Sequence, residues 1–318
     1  MQTIVYILNF KTQYTQLDNI KIGGALLERL LELYPEKYES ILECFKNSKI
    51  GISDALPYKN SIMFPFPKVP VKARNEDQMP NLKKIVKNIS LDQLRKIIGK
   101  IRNYEDLYVD DMPDIVNKNV PGKEYNSLMD EAGVKIYREP ITRERKTIYT
   151  DVFTKEYFSS GELEISGDGK IKGPKKWVVF NIEDDCKDLE KGIRTSLYIL
   201  SDLGLSGRRG IGKGIFTIEA LNSLDKSLEF SFNGEGYYIL LSKFIPREDE
   251  IEYIDFKRSY YTLDIFSGFD KKGISLGIYR YITPGSIMYL KKRVVGVTIS
   301  LDSIERIIPF NGIFLRVV

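Results

Sequence analysis

The residues best suited to chemistry lie in a glycine-rich stretch, LSGRRGIGKGIF, at residues 205–216. Within it, residues 207–213 read GRRGIGK, which is most of a nucleotide-binding P-loop. Gly214 stands where a P-loop has the Ser or Thr that helps to hold Mg²⁺. A P-loop must also follow a strand and open a helix, because the helix N-terminus then faces the phosphates. The apolar spacing here predicts the reverse order of helix, loop and strand, and it disfavours a P-loop.

Glycine occupies five of the eleven positions from 204 to 214, and three cations lie among them with no acid. Ordered glycines cost backbone entropy, and a simple turn needs only one or two. Glycines allow a backbone to come close, and clustered cations attract phosphates, so the stretch is predicted to contact a phosphodiester chain. A flexible connection is the alternative. The glycines are Gly204, Gly207, Gly210, Gly212 and Gly214, and the cations are Arg208, Arg209 and Lys213.

The elements that must position this loop are predicted from apolar spacing. Leu189, Ile193 and Leu197 indicate a helix that leads into the loop, and residues 215–220 read as a strand. Other strands and helices are expected earlier in the chain. They are a strand at 3–10, a helix at 24–34, a helix at 90–98 that is capped by Ser90 and Gln93 and ended by Gly99, a hairpin at 163–171 and a buried strand at 177–182.

Beyond about residue 223 the sequence reads as candidate strands joined by short turns, and we expect a domain boundary there. The first domain would cover residues 1–223, with a long polar insertion at about 72–146, and the second would cover 224–318. Strands and helices do not alternate strictly in either half, which favours the α+β class. The candidate strands of the second half are 237–244, 259–266, 287–290, 294–299 and 312–318.

The chain has no histidine, which excludes Ser-His-Asp and Cys-His catalysis. Cys44 and Cys186 fit no metal or disulfide spacing and are expected to be buried thiols in a reducing cytosol. No targeting signal and no membrane-length apolar run are found, so a cytoplasmic location is expected. The net charge of only +4 does not by itself demand a nucleic acid.

Several other patterns have both a functional and an ordinary interpretation. Asp110, Asp111 and Asp114 match no EF-hand spacing, which favours an acidic surface loop over a cation site. Lysines at 170–176 are interpreted as solubilising a hairpin, although they could line an RNA groove. Phe64 and Phe66, in the proline-rich stretch 51–70, are expected at a protein interface, with core packing as the alternative. Tyr260 and Tyr261 beside Arg258 could stack on bases, and packing is their default interpretation.

The glycine-rich stretch GLSGRRGIGKGIF resembles the loop of the RAMP superfamily of CRISPR proteins. It is most similar to subunit four of type III-A (Csm) effector complexes, whose loop has the form G-h-G-G-x-R-x-x-G-x-G-x-F, where h is apolar. Gly204, Gly207, Arg209, Gly212, Gly214 and Phe216 match this form, and Ser206 replaces one glycine. Other segments resemble the family in the same order along the chain: IKIGGALLERL, GISDALPY followed by IMFPFP, ITRERKTIYTDVF with Arg143 and Tyr149, PGSIMYL and NGIFLRVV.

The resemblance implies two ferredoxin-like (RRM-like) domains, with the glycine-rich loop between the last helix and the last strand of the first. It implies a non-catalytic subunit, with no metal and no cofactor, that holds the 5′ repeat-derived tag of CRISPR RNA (crRNA). Its expected neighbours are the large Cas10-type subunit and the backbone RAMP subunit. A RAMP-type endoribonuclease using Tyr, Lys or Ser instead of His, or a nucleotide-binding enzyme, are the alternatives. The residues expected to bind RNA are Gly204, Gly207, Arg208, Arg209, Gly210, Gly212, Lys213, Gly214, Arg143 and Arg145.

Overall fold

The structure is a computed structural model, and it describes most of the two halves of the chain. Backbone alone is described for Phe269 and for four short strands between residues 133 and 172. The residues described in full are 1–12, 14, 16–59, 61–72, 88–108, 174–205, 213–221, 225, 228–268, 275–301 and 306–317.

The first half of the chain contains all of the α-helices among the described residues. In chain order its elements are β1 (Gln2–Phe10), α1 (Asn19–Leu33), α2 (Tyr38–Lys46), β2 (Ile50–Ile52), β3 (Leu56–Tyr58), β4 (Phe64–Pro65), β5 (Asn88–Ile89), α3 (Leu91–Arg102), β6 (Gly133–Arg138), β7 (Arg145–Thr150), β8 (Glu164–Ile165), β9 (Ile171–Lys172), β10 (Lys175–Ile182), α4 (Glu190–Leu203) and β11 (Phe216–Ala220). Short 3₁₀ helices precede α2 (Pro35–Lys37) and α4 (Asp184–Leu189).

The main sheet of this half has the spatial order β11, β1, β10 and β2, and β3 also pairs with β10. Every pairing in it is antiparallel. The chain therefore runs strand, helix, strand, then a long insertion, and returns as strand, helix, strand. Helices α1 and α4 cover one face of the sheet, where they bury the apolar stripes that the sequence shows. That core includes Leu8, Phe10, Ile22, Leu26, Leu30, Phe180, Ile193 and Leu197.

The regular elements described in the second half of the chain are mostly strands. They are β12 (Leu228–Glu229), β13 (Gly236–Leu240), β14 (Leu263–Phe269), β15 (Ser275–Ile282), β16 (Ile287–Leu290), β17 (Gly296–Leu301), β18 (Arg306–Asn311) and β19 (Phe314–Val317). A second sheet has the order β12, β19, β13 and β16, while β14–β15 and β17–β18 are hairpins. Among the described residues of this half, the one helical segment is a 3₁₀ helix (Glu248–Tyr253). A ferredoxin-like unit has two α-helices, and hairpins lie between the strands here instead.

The strands of the two sheets lie on either side of residue 223, but the two halves share a core. Helix α3 comes from the first half, yet its Leu94 and Ile97 pack in one cluster with Ile239 and Leu315 of the second sheet. The β17–β18 hairpin of the second half packs in turn against α1, where Pro309 meets Gly23. The halves are thus joined by reciprocal packing.

A buried polar junction also joins the halves at the N-terminus of α1. The Asp18 carboxylate caps that helix by accepting from the Lys21 N–H (2.9 Å) and pairs with the Lys243 ammonium (2.7 Å). The Asn19 side-chain amide donates to the Pro309 carbonyl (3.0 Å), and the Asn19 N–H donates to the Asp54 carboxylate (2.9 Å). Burial, followed by the charge of Asp18, raises the pKa of Asp54 to about 7.

Two helix boundaries differ from the predicted ones for local reasons. Helix α1 begins at Asn19 and not at residue 24, because Asp18 supplies an N-cap that the leucine stripe alone did not reveal. Helix α3 has the predicted capping box of Ser90 and Gln93, but it passes through Gly99 and ends at Arg102. Ile101 is buried in the same core, and this packing outweighs the cost of a glycine within a helix.

The structure corrects two expectations about buried side chains. Cys44 and Cys186 are bonded as a disulfide, with their Cα atoms 6.2 Å apart, and are not two free thiols. Their separation of 142 residues hides the fact that α2 and the 3₁₀ helix before α4 share one core. Phe64 and Phe66 are buried in the core beside Trp177, so they do not form an exposed interface. Asp110, Asp111 and Asp114 lie outside the described residues.

Candidate nucleic-acid interface

The two ends of the glycine-rich loop are held together in a closed neck. Helix α4 ends at Leu203, and the Gly204 N–H donates to the Leu200 carbonyl (2.9 Å). The Leu205 N–H then donates across the neck to the Gly214 carbonyl (2.9 Å). Gly204 has a φ of +86°, and a Cβ there would collide with the Lys213 carbonyl oxygen. Glycine at 204 is therefore required by the closing of the neck, whatever the loop binds.

The neck is anchored to the end of strand β1. The Ile215 N–H donates to the Thr12 hydroxyl (2.9 Å), and the Lys11 N–H donates to the Ile215 carbonyl (2.8 Å). Beneath these bonds, the Phe10 ring stacks on Tyr14 with centroids 4.0 Å apart and lies 5.4 Å from Phe216. Phe216, which follows the loop, thus packs with two rings from the end of β1 to form a base for the loop.

Two lysines of the neighbouring strand β10 lie near this neck. Register places Lys175 opposite Asn9 and Lys176 opposite Leu8, near the end of β1. The Lys176 ammonium lies 5.8 Å from the centroid of the Tyr14 ring. Lys213 itself is buried in the neck. The sequence alone favours solubility over an RNA groove for Lys175 and Lys176, and only the β1–β10 pairing shows that they lie near the neck.

The structure brings together three of the residues expected to bind RNA. Gly204, Lys213 and Gly214 form the neck described above. Arg145 opens β7 opposite Arg138, in a two-stranded ribbon described by its backbone alone. The remaining expected residues lie outside the described part of the chain, and their roles stay predictions: Gly207, Arg208, Arg209, Gly210, Gly212 and Arg143.

The order of elements around the loop is the predicted one, since α4 precedes it and β11 follows it. No helix N-terminus follows the glycines, so a P-loop arrangement is absent from residues 190–221 as described. Over the residues that the structure describes, no group of three or more Cys, Asp or Glu side chains could hold a metal ion. In the same residues, no α-helix combines the length and the apolar character that crossing a bilayer requires.

Comparison with known proteins gives a whole-chain structural likeness. The sequence matches no protein-family model and no curated protein. Its structure is similar to a chain of the crystal structure of the Csm3-Csm4 subcomplex in the type III-A CRISPR-Cas interference complex, with a TM-score of 0.59 and 17% identity over 99% of each chain. It is also similar to a chain of the Csm1-Csm4 cassette in complex with pppApApA, with a TM-score of 0.52 and 13% identity over 100% of this chain and 98% of that chain.

The same cassette in complex with one ATP gives a TM-score of 0.53 at 14% identity. Csm4 is the subunit that the two kinds of assembly share. The likeness covers 99% of each chain, and it therefore includes the second sheet as well as the first. The protein accordingly shares its overall fold with the chains of these Csm4-containing assemblies that it matches.

Proposed function

We propose that the protein is a non-catalytic structural subunit of a type III-A CRISPR effector complex and that it holds the 5′ tag of the crRNA. In this role it bridges the backbone RAMP subunit, which corresponds to Csm3, to the large Cas10-type subunit, which corresponds to Csm1. One observation carries the proposal: the whole chain shares the fold of the subunit common to the Csm3-Csm4 and Csm1-Csm4 assemblies.

The first sheet supports an RNA-binding role. Its order of β11, β1, β10 and β2, with two helices on one face, is that of a ferredoxin-like domain. We interpret the second sheet as a modified second copy in which hairpins replace the helices. The glycine-rich loop then stands between the last helix and the last strand of the first unit, on a neck near which the chain carries Lys11, Lys175 and Lys176. Cations around a glycine-rich backbone suit a phosphodiester chain.

The β14–β15 hairpin supports a place within an assembly. Leu263, Ile265 and Ile278 are 59%, 55% and 74% exposed, and they lie on one hairpin. Exposed apolar patches on otherwise polar surfaces are typical of protein interfaces. A subunit with neighbours on two sides would cover such a surface.

The direct test is to express the chain together with Csm1-type and Csm3-type subunits and a CRISPR array, purify the assembly through this chain, and sequence the RNA. We expect RNA molecules that share one repeat-derived 5′ end. RNA without a common 5′ end would contradict tag binding. Purified chain that cuts repeat RNA at defined positions without metal would instead identify the endoribonuclease alternative.

Arg209 is the residue expected to contribute most to this binding, because Gly207 and Gly210 flank the Arg208–Arg209 pair and a guanidinium can give a phosphate two parallel hydrogen bonds. We expect Arg209→Ala to weaken RNA binding by about 1–3 kcal/mol, the scale of a hydrogen bond to a charged group. The salt slope should fall in magnitude by about 0.7 for one lost phosphate contact. Binding is measured across a salt series.

Lys191→Ala, an exposed cation on α4, is the matched control and should leave both quantities unchanged. If Arg209→Ala lowers the melting temperature while affinity and salt slope stay the same, the residue braces the loop and does not contact RNA.

A further inference from the structure

A cavity of about 250 Å³ in the second half of the chain is lined by three arginines. Arg258 follows the 3₁₀ helix, Arg316 lies on β19, and Arg102 is the last residue of α3. Tyr237 and Tyr289 form its wall, and Glu235 is the one acid that lines it. This arginine cleft (Arg102, Arg258, Arg316) therefore carries a net charge of about +2 from its lining side chains.

The arginines of the cleft are held in place by rings. The Arg258 guanidinium carbon lies 3.4 Å from the centroid of the Tyr289 ring and 5.7 Å from that of Tyr237. Tyr237 and Tyr289 pack edge to face, with centroids 4.9 Å apart, and both are buried. Arg316 lies 5.9 Å from the Tyr238 ring. Cation–π packing of this kind fixes a guanidinium plane without using its hydrogen-bond donors.

Two of the cleft arginines each have one hydrogen-bond donor without a partner. The Nε atoms of Arg258 and Arg316 are shielded from solvent, and no acceptor in the described part of the chain hydrogen-bonds to either. Arg102 donates to the Val317 carbonyl (3.0 Å), which ties the end of α3 to β19. A buried donor without an acceptor is costly, and a buried charge more so. The cleft therefore has three guanidinium groups and one carboxylate in its lining, and this excess of positive charge suits an anion.

An exposed aromatic residue follows one of the cleft arginines in the chain. Tyr104 follows Arg102 closely in sequence, is 80% exposed, and has a φ of +57°, which is uncommon for a residue other than glycine. Burial alone would lower the pKa of Arg258, but the hydrogen bond with Tyr237 and the nearby phenols, that of Tyr104 among them, raise it. Tyr104 lies two residues after Arg102, which is one of the arginines that line the cleft.

We propose that the arginine cleft is a second RNA site, in which Arg258 and Arg316 bind backbone phosphate and Tyr104 stacks on a base. Guanidinium forks match phosphate oxygens, and an exposed ring beside cations is typical of single-strand binding. An acidic peptide would use the arginines but would leave the ring without a partner. The choice of RNA over a free nucleotide rests on the proposed function, while the anion site itself rests on the cleft alone.

The test uses the full-length chain and three labelled probes, which are a decauridylate RNA, ATP and a decaglutamate peptide. We expect Arg258→Gln combined with Arg316→Gln to weaken RNA binding at least tenfold and to reduce the salt slope by about 1.4, at 0.7 for each lost phosphate contact. Tyr104→Ala should weaken RNA binding about fivefold or more and leave the salt slope unchanged. Lys191→Gln combined with Arg194→Gln removes the same charge from the exposed face of α4 and should change nothing.

The following outcomes would contradict the inference. RNA binding that is unaffected by the double substitution overturns it, and so does a wild-type chain that binds no RNA at low salt. Loss of ATP or peptide binding, with RNA binding intact, assigns the cleft to that ligand instead. If the double variant melts early, Arg258→Lys and Arg316→Gln are measured singly, because the first keeps the charge and loses the fork.

Loss of RNA binding in Arg209→Ala but not in the cleft variants would leave the proposed function standing and remove this inference. The reverse pattern would keep the cleft and remove the role of Arg209.

Discussion

Gly204 shows how one backbone angle closes the neck of the glycine-rich loop. We expect Gly204→Ala to destabilise the protein by about 1–3 kcal/mol, because its φ of +86° disfavours any side chain and a Cβ would meet the Lys213 carbonyl. Urea denaturation measures the change. Gly24→Ala is the matched control, since Gly24 lies within α1 with open space around its Cα, and alanine there should stabilise by about 0.5–1 kcal/mol. Equal effects of the two substitutions would refute the closed neck.

Asp54 gives the polar junction a pH dependence. Burial and the nearby charge of Asp18 raise its pKa from 3.8 to about 7, so the folded protein binds a proton that the unfolded chain releases in that range. The stabilisation associated with this proton is present below about pH 4 and is lost as the pH rises to about 7. We therefore expect Asp54→Asn to be more stable than the wild type at pH 8, by up to a few kcal/mol, and close to it at pH 4.

The measurement is urea denaturation of both proteins from pH 4 to pH 8. Asn at 54 keeps an oxygen acceptor for the Asn19 N–H, so the substitution removes the charge and little else. A difference between Asp54→Asn and the wild type that stays constant from pH 4 to pH 8 would show that Asp54 ionises normally in the folded protein.

At the scale of elements, the disulfide ties α2 to the 3₁₀ helix that precedes α4. Closing a loop of 142 residues restricts the unfolded chain and should stabilise the fold by about 4–5 kcal/mol. We expect dithiothreitol to lower the free energy of unfolding by this order in the wild type. Cys44→Ser combined with Cys186→Ser should show no effect of the reductant. Two thiols that react in the unfolded, unreduced protein would contradict the bond.

The sequence predicts those elements whose signal is local. The alternation in β1, the capping box at Ser90 and the leucine spacing of α4 each depend on side chains a few residues apart, and all three are confirmed. Strands β15 and β18 were missed, because each is defined by a partner strand and carries no apolar alternation that sets it apart. The disulfide and the arginine cleft were missed for the same reason, since both join residues far apart in the chain.

The candidate site likewise has features that the sequence predicts and features that depend on the fold. The glycine spacing identifies the loop, and the order of α4 and β11 around it could be predicted. The lysines beside the neck could not, because their closeness depends on the register between β1 and β10. The expectation that Phe64 and Phe66 form an interface fails because exposure depends on what covers a segment, and here Trp177 and the second half cover it.

At the scale of the whole molecule, the two halves are expected to unfold together. Helix α3 packs on the second sheet, the β17–β18 hairpin packs on α1, and the Asp18–Lys243 pair lies between them. Each contact supplies one half with part of the other's core. Neither sheet keeps its buried surface if the other half separates, and this favours one cooperative transition.

Trp177, the only tryptophan in the chain, reports directly on this coupling. Its indole N–H donates to the Met63 carbonyl (3.0 Å), and its ring lies 5.7 Å from Phe64 and 6.5 Å from Phe230 of the second half. We expect the fluorescence transition in urea to coincide with the transition of far-UV circular dichroism. Phe230→Ala should destabilise the protein by about 3–5 kcal/mol and move both transitions together, because it opens a cavity in the shared core. Ile278→Ala, on a side chain that is 74% exposed, should move neither by more than about 0.5 kcal/mol. A fluorescence transition at lower urea than the dichroism transition would show that the halves separate before they unfold.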